Sequence, residues 1–331
     1  MIVAGDLAGA VRAFCSRIGA DALLVQDAGG NVSWKDDGVL WVKASGMHMA
    51  DALKRPVFVP VDLATAREQA RPPVLATTGE GVALRPSIET MLHALMPQRV
   101  VAHLHAVEGI AHLVRVDDAA VLASLLGELP HAWVPYRQPG PPLAQAVSDA
   151  LRSHPGVDTL LLANHGVVVG GDDVDDVQRK LDRLVDRLRQ APRAPIAGRV
   201  PATAPAGWTL PRDTGLHALA HDAALLARVR DDWAICPDHV VFLGPEAPLF
   251  DSTDALGASS ARLPAAIVPG EGVFIADTDP ARVQTTETML RCFLEIMRRV
   301  PIGAPVRRLP DAEISALVHW EAEAYRRAMK H

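Results

Sequence analysis

Residues 100–109 read VVAHLHAVEG, and the spacing inside that stretch decides how the chain is read. Val100, Val101 and Ala102 open an apolar, β-favouring run, and His103 and His105 close it two positions apart. On a strand, positions i and i+2 point to one face, so the two imidazoles stand side by side, close enough to grip one ion. With 13 histidines in 331 residues, chance supplies roughly half such a pair in a chain of this composition. The pair therefore gains meaning only from its companions.

Working outward, RVVAHLH reads as a strand, VEGIAHLVR as a helix and LAQAVSDALRS as another. PSIETMLHALM takes helical periodicity after Pro86, with Ser87 as N-cap and Glu89 in the first turn. VDTLLLANHGVVVGG is an apolar strand pair broken at Asn164-His165-Gly166, and DVDDVQRKLDRLVDRLRQ is an amphipathic helix. Upstream, Gly5 to Ala20 has helical spacing, and ALLVQ, NVSWK and VLWVKA read as a small β meander. The Pro-, Ala- and Gly-rich stretch APRAPIAGRVPATAPAG looks like a linker. These readings divide the chain into a domain over residues 1–192, a linker over 193–208 and a C-terminal α/β domain over 209–331.

After the linker the pattern partly returns. VPGEGVFIADTDPARVQ (268–284) lies without gaps on LANHGVVVGGDDVDDVQ (162–178), and PDHVVFL from Pro237 falls on PQRVVAH from Pro97. A degenerate second copy would carry Leu243, Pro245 and Glu271 where the first carries His103, His105 and His165, so it would have lost the histidines.

Composition excludes several classes. A net charge of −6 with dispersed arginines leaves no basic stripe for nucleic acid. Neither G-x-G-x-x-G nor G-x-x-x-x-G-K-[ST] occurs. No apolar run reaches the roughly 18 residues that span a bilayer, and the start has Asp6 and no basic segment, so a cytoplasmic protein is expected. Three scattered cysteines make neither a disulfide framework nor a thiolate zinc site, so any metal is held by histidines and carboxylates.

His165, before a glycine at the end of an apolar strand, is a third imidazole, and three neutral imidazoles with an open fourth position form a standard catalytic zinc set. Taken singly, each histidine is more often a satisfied or surface one than a ligand. Glu89 either complements a helix dipole or, beside a metal, moves a proton on and off carbon. His93, four residues on, reads as structural. Gly29, Gly30, Asn31, Ser45, Gly46 and Ser87 are turn residues whose backbone N–H groups, hydroxyls and amide can also cradle a phosphate. Lys43 is either a further cation there or an exposed strand end.

In chain order, GGNVSWK, VLWVKASG, RPSIETMLHALMP, VVAHLHA, VPYRQPG and LLLANHGVVVGG make the sequence resemble the class II aldolase and adducin family over roughly residues 20 to 190. LWVKASG, RPSIETMLHALMP and ICPDHVVF look most like the aldolase portion of bifunctional rhamnulose-1-phosphate aldolase/dehydrogenase proteins. The resemblance implies a class II aldolase-like three-layer α/β domain, its mixed, largely antiparallel sheet flanked by helices. It implies that His103, His105 and His165 bind a divalent metal, zinc above all, with Glu89 as acid/base. Gly30, Asn31, Ser45, Gly46 and Ser87 would line a phosphate pocket. Ile88 departs from the Ser-Ser-Glu often found in such aldolases and removes one hydroxyl. Tyr136 and Tyr325 are the available tyrosine acids, neither assigned. The implied activity is retro-aldol cleavage of a ketose or ketose phosphate through a metal-stabilised enediolate, in a homo-oligomer, usually a tetramer. Epimerases, decarboxylases and a dehydratase share that chemistry, and an adducin-like association module would lack the metal ligands.

Overall fold

Apolar alternation along β-rich segments builds a seven-stranded sheet in the order β3-β2-β1-β4-β7-β6-β5. Its strands are β1 (Asn31–Asp36), β2 (Val39–Lys43), β3 (Phe58–Asp62), β4 (Val100–Leu104), β5 (His131–Val134), β6 (Thr159–Leu162) and β7 (Gly166–Gly171). Every neighbour pair is antiparallel except β5 with β6. This computed structural model describes residues 7–75, 84–196 and 198–319. Within those limits the chain forms two compact units, one of residues 7–113 and 118–189 and one of residues 114–117 and 190–319.

The two faces of the sheet follow strand parity. Val100, Ala102 and Leu104 of β4 and Val167 and Val169 of β7 pack in one cluster with Val11, Phe14 and Ile18 of α1 (Leu7–Gly19). The same cluster takes Val177, Leu181, Leu184 and Leu188 of α7 (Val174–Leu188), an i, i+4, i+7, i+11 stripe. Val101 and Val168 face the other way, onto Leu92 of α3 (Thr90–Leu95) and Leu143 and Val147 of α6 (Pro141–Ser153). This is the expected mixed sheet between helical layers. Parity therefore assigns His103, like Val101, to the α3 side, and Asn31 and Ser33, out of phase with Val32 and Trp34, to that side as well.

Three local expectations are corrected. ALLVQ is a turn and not a strand, because the Asp21 carboxylate accepts the Leu23 N–H at 2.8 Å and the Asp21 carbonyl accepts those of Leu24 and Val25. Ser87 is not the N-cap of α3; Glu89 occupies that position, while Ser87 Oγ accepts the Glu89 N–H at 3.2 Å one turn earlier. Lys43 is not an exposed strand end, being 2% exposed with its ammonium donating to the carbonyls of Ala28 and Met47.

The second unit holds a three-stranded antiparallel sheet, β8-β10-β9, with β8 (Trp208–Thr209), β9 (Ala265–Val268) and β10 (Gly272–Ala276). Leu256, Ala266, Val268 and Phe274 form its small core. Residues 190–207 carry no helix or strand among those described, yet Arg193 pairs with Asp222 at 2.7 Å inside this unit. The gapless alignment of the two sequence stretches has a structural counterpart. Leu162 opposes Gly166 in β6–β7 and Val268 opposes Gly272 in β9–β10. Asn164 and Gly270 take the same left-handed turn position, with φ 54° and 76°. Asp173 and Asp279 each cap the helix that follows, α7 and the long helix Pro280–Arg299. The other correspondence fails: PQRVVAH forms β4, but PDHVVFL is the helix Pro237–Leu243, started by Pro237 at its first position and closed by Gly244 at φ 94°.

Candidate metal centre

The pairing of β4 with β7 sets Leu104 opposite Val167, so the end of β4 meets the start of β7. His103 is in the last turn of the pleat, His105 just beyond it, and His165 in the β6–β7 turn immediately before Gly166. All three are buried, and their ligand nitrogens lie within 4.8 Å of one another. The ring centroids are 5.0, 4.8 and 5.2 Å apart for the pairs 103–105, 103–165 and 105–165. Two glycines permit this approach. A Cβ on Gly166 would sit 2.3 Å from the Leu104 carbonyl oxygen, and one on Gly30, at φ 60°, would sit 2.7 Å from that of His103.

Glu89 enters the same cluster from the turn before α3. Its Oε2 is 3.4 Å from His103 Nε2 and its Oε1 is 3.3 Å from His165 Nε2. Burial alone would raise the Glu89 carboxyl, but the His103 and His165 rings, the Asn31 amide and then His105 outweigh it and hold it at about 2. His103 Nδ1 lies 3.1 Å from the Val167 carbonyl, which can only accept, so Nδ1 carries the proton of the neutral ring. In that tautomer Nε2 is the atom that faces the Glu89 carboxylate; positive charge there, on the ring or on an ion it would hold, is what lowers the Glu89 carboxyl. The donor set, three imidazoles and an adjoining carboxylate, thus fits a divalent ion such as zinc, and a backbone carbonyl fixes the tautomer it requires.

The small-residue turns converge beside this cluster. Ala44 bridges Pro86, the Ser45 N–H donates to the Arg85 carbonyl and the Ser87 N–H to that of Lys43, which brings Ser45, Gly46 and Ser87 together. Lys43, through Ala28, ties in the turn that carries Gly30. The Asn31 amide nitrogen donates to Ser87 Oγ at 3.1 Å and to Glu89 Oε2 at 2.8 Å, so Asn31 supports the Glu89 carboxylate directly. Tyr136 is half-buried with a buried hydroxyl, and Tyr325 lies outside the described residues.

Ser33, which the sequence did not single out, and His93, read there as structural, join this network. Ser33 and His93 are both fully buried and hydrogen-bonded to each other, and His93 also bonds Asn31. The signal for Ser33 was its i+2 register with Asn31 on β1, which places both on the face that α3 covers.

A mixed sheet between helices with three histidines at the junction of two strands defines an α/β protein whose histidine cluster could hold a metal ion. Residues 10–191, more than half of the chain, match the family described as Class II Aldolase and Adducin N-terminal domain, and the chain belongs to that family. The class II aldolases of this family are divalent-metal dependent. The chain is 26% identical over 192 residues to the uncharacterized oxidoreductase YuxG of Bacillus subtilis, matching 52% of this chain and 28% of YuxG. It is 27% identical over 172 residues to a methylthioribulose-1-phosphate dehydratase of Klebsiella pneumoniae, matching 47% of this chain and 80% of that protein. Among solved structures, the N-terminal class II aldolase domain of a conserved Thermoplasma acidophilum protein is similar with a TM-score of 0.46 and 24% identity, over 57% of this chain and 94% of that one. Among the described residues no helix is long and apolar enough to cross a membrane.

Proposed function

We propose that this chain is a metal-dependent carbon–carbon lyase that cleaves a ketose, in phosphorylated form, by retro-aldol chemistry. The observation that carries the reading is the convergence of His103, His105 and His165 within 4.8 Å, with Glu89 against two of them. These three histidines would hold a divalent ion, zinc by ligand type. When bound, the ion supplies a Lewis acid to the carbonyl and neighbouring hydroxyl oxygens of a ketose.

The chain's own residues do the rest. In cleavage a water or tyrosine base takes the C4 hydroxyl proton and passes it to solvent, the C3–C4 bond breaks, and the aldehyde leaves while its former bonding pair passes into an enediolate. Glu89 delivers a proton to C3. A carboxyl held at about 2 is ionised at neutral pH, so it accepts that proton from carbon in the condensation direction; in cleavage it first takes up one proton from solvent, the equivalent of the one the C4 hydroxyl gave up, and returns it to C3. Gly30, Ser45, Gly46 and Ser87 offer the phosphate its N–H groups and hydroxyls, and Asn31 holds Glu89 in line.

A second reading, loss of water from a ketose phosphate, is favoured by the similarity to the methylthioribulose-1-phosphate dehydratase. It uses the same ionised Glu89 to take a proton from carbon. The test is zinc content by elemental mass spectrometry beside a His103→Ala/His105→Ala variant, followed by ketose 1-phosphates assayed for aldehyde release and for dehydrated product. One ion per chain, lost in the variant, with aldehyde release abolished in Glu89→Gln, is the expected result. A folded chain that binds no metal after reconstitution refutes the proposal.

A further inference from the structure

The Glu89 carboxylate does not take its direction from Asn31 alone. Asn31 and Ser33 are two apart on β1, and the His93 imidazole from α3 spans them, Nδ1 to Ser33 Oγ at 2.7 Å and Nε2 to Asn31 Oδ1. Ser33 and His93 are 0% exposed, Asn31 4% and Glu89 5%. The Asn31 carbonyl oxygen can only accept, so Nε2 carries the ring proton. Nδ1 is then an acceptor, and Ser33 supplies the hydroxyl proton to it. The Asn31 amide nitrogen, facing the other way, donates to Glu89 Oε2 at 2.8 Å. Three hydrogen bonds thus run in one sense, from Ser33 through His93 and Asn31 to one carboxylate oxygen.

We infer that His93, backed by Ser33, is a positioning residue that fixes which end of the Asn31 amide meets Glu89. With the amide reversed, Asn31 Oδ1 would face the carboxylate oxygen at hydrogen-bond distance, two acceptors in contact. A ring protonated at Nε2 forbids that reversal, because it needs an oxygen in front of it. The bond to Oε2 leaves Oε1 directed at His165, 3.3 Å away, so the relay sets the carboxylate's rotation about its own axis. A histidine that only filled space between α3 and β1 would need neither a defined tautomer nor a partner at each nitrogen. The ring is neutral at pH 7, as burial and then the nearby His103 push it down to about 3.

The inference rests on the reading of Glu89 as the acid/base, and the test separates the two. The zinc-loaded protein is given dihydroxyacetone phosphate in D2O, and exchange of its hydroxymethyl hydrogen is followed by proton NMR. Glu89→Gln is expected to abolish exchange. His93→Leu is expected to lower kcat about 10- to 100-fold, the usual cost of losing a supporting hydrogen bond around such a site. KM and zinc content should stay unchanged, and His93→Gln, whose amide N–H can replace the Nε2 donor, should recover to within a few-fold of the parent. Nitrogen-15 NMR of the His93 ring should show the Nε2-protonated form in the parent. Wild-type kcat in His93→Leu beside an inert Glu89→Gln overturns the relay alone; exchange that survives in Glu89→Gln, or none in the parent, overturns the Glu89 reading with it. A His93 ring protonated at Nδ1 overturns the relay even where His93→Leu fails to fold.

Discussion

Replacing Gly166 by alanine tests whether backbone contact is what brings the histidines together. The added Cβ would lie 2.3 Å from the Leu104 carbonyl oxygen, 3.2 Å from its carbon and 3.4 Å from the His105 Cα. Ordinary contact with an oxygen needs about 3.3 Å, so β4 or β7 has to retreat by about 1 Å. Neither neighbour is a flexible side chain. The movement therefore falls on the strand ends that carry His105 and His165. Overpacking of this kind costs about 1–3 kcal/mol. In a unit of this size that lowers Tm by roughly 4–8 °C for the middle of the range. Retreat of one ligand by about 1 Å in a three-imidazole set should weaken zinc at least about 10-fold, comparable to misaligned supporting groups. Zinc added at 100 times the parent's Kd stabilises the parent by about 2.7 kcal/mol and the variant by about 1.4. Competition with a chromogenic chelator measures the affinity, and thermal melts with and without zinc measure the coupling. Gly257→Ala is the control, since its Cβ meets only Pro205 at 3.6 Å. Wild-type zinc affinity in Gly166→Ala, with an undiminished zinc-dependent rise in Tm, would refute the reasoning.

Two further outcomes follow from buried ionisable groups. Burial pushes the Cys15 thiol up to about 12 and those of Cys236 and Cys292 up as well, so no thiol should react with Ellman's reagent at pH 8 in the native protein, and all three should react once it is unfolded. Asp222 caps the helix beginning at Ala223 and is bonded by Arg193 at 2.7 and 2.9 Å; burial would raise its carboxyl, but Arg193 and the Ile196 and Leu225 N–H groups hold it at about 2. Its folded value is below the unfolded one, so its stabilisation, about 2 kcal/mol, is present above about pH 4 and lost as pH falls towards 2. Melts of Asp222→Asn should accordingly show a lower Tm at pH 7 and a shallower decline between pH 4 and 2; parallel curves would exclude this role.

The convergence of the three histidines was legible because its information is local. Two histidines at i and i+2 on a strand must share a face whatever the strand packs against, and the Asn-His-Gly turn announces a backbone reversal at His165. The failures arose where a non-local or side-chain contact decides the outcome. ALLVQ has β composition, but the Asp21 carboxylate and backbone carbonyl one residue before it capture the N–H groups a ladder would need. PDHVVFL is buried at all seven positions, so its burial carries no period and only Pro237 and Gly244 mark it as a helix. Lys43 could not be assigned to the interior until the carbonyls of Ala28 and Met47 were seen to receive it.

The same contrast explains why Glu89 was readable as the proposed acid/base and the residues around it were not. Glu89 follows a proline and a serine in a recognisable motif, and its role depends on its own carboxylate. The function of His93 depends on Ser33 and Asn31, which are 60 and 62 residues away in sequence. Strand parity nonetheless constrained the answer. Once β1 and β4 pair with Asn31 opposite His103, any polar residue at position 33 lies on the face that α3 covers, and a buried hydroxyl there must find a partner on that helix. Of the two ring nitrogens that His93 brings, one satisfies the hydroxyl and the other is left to orient the amide. A polar strand face buried under a helix is thus the feature from which the support of a neighbouring catalytic carboxylate can be sought, even where no motif marks the residues that provide it.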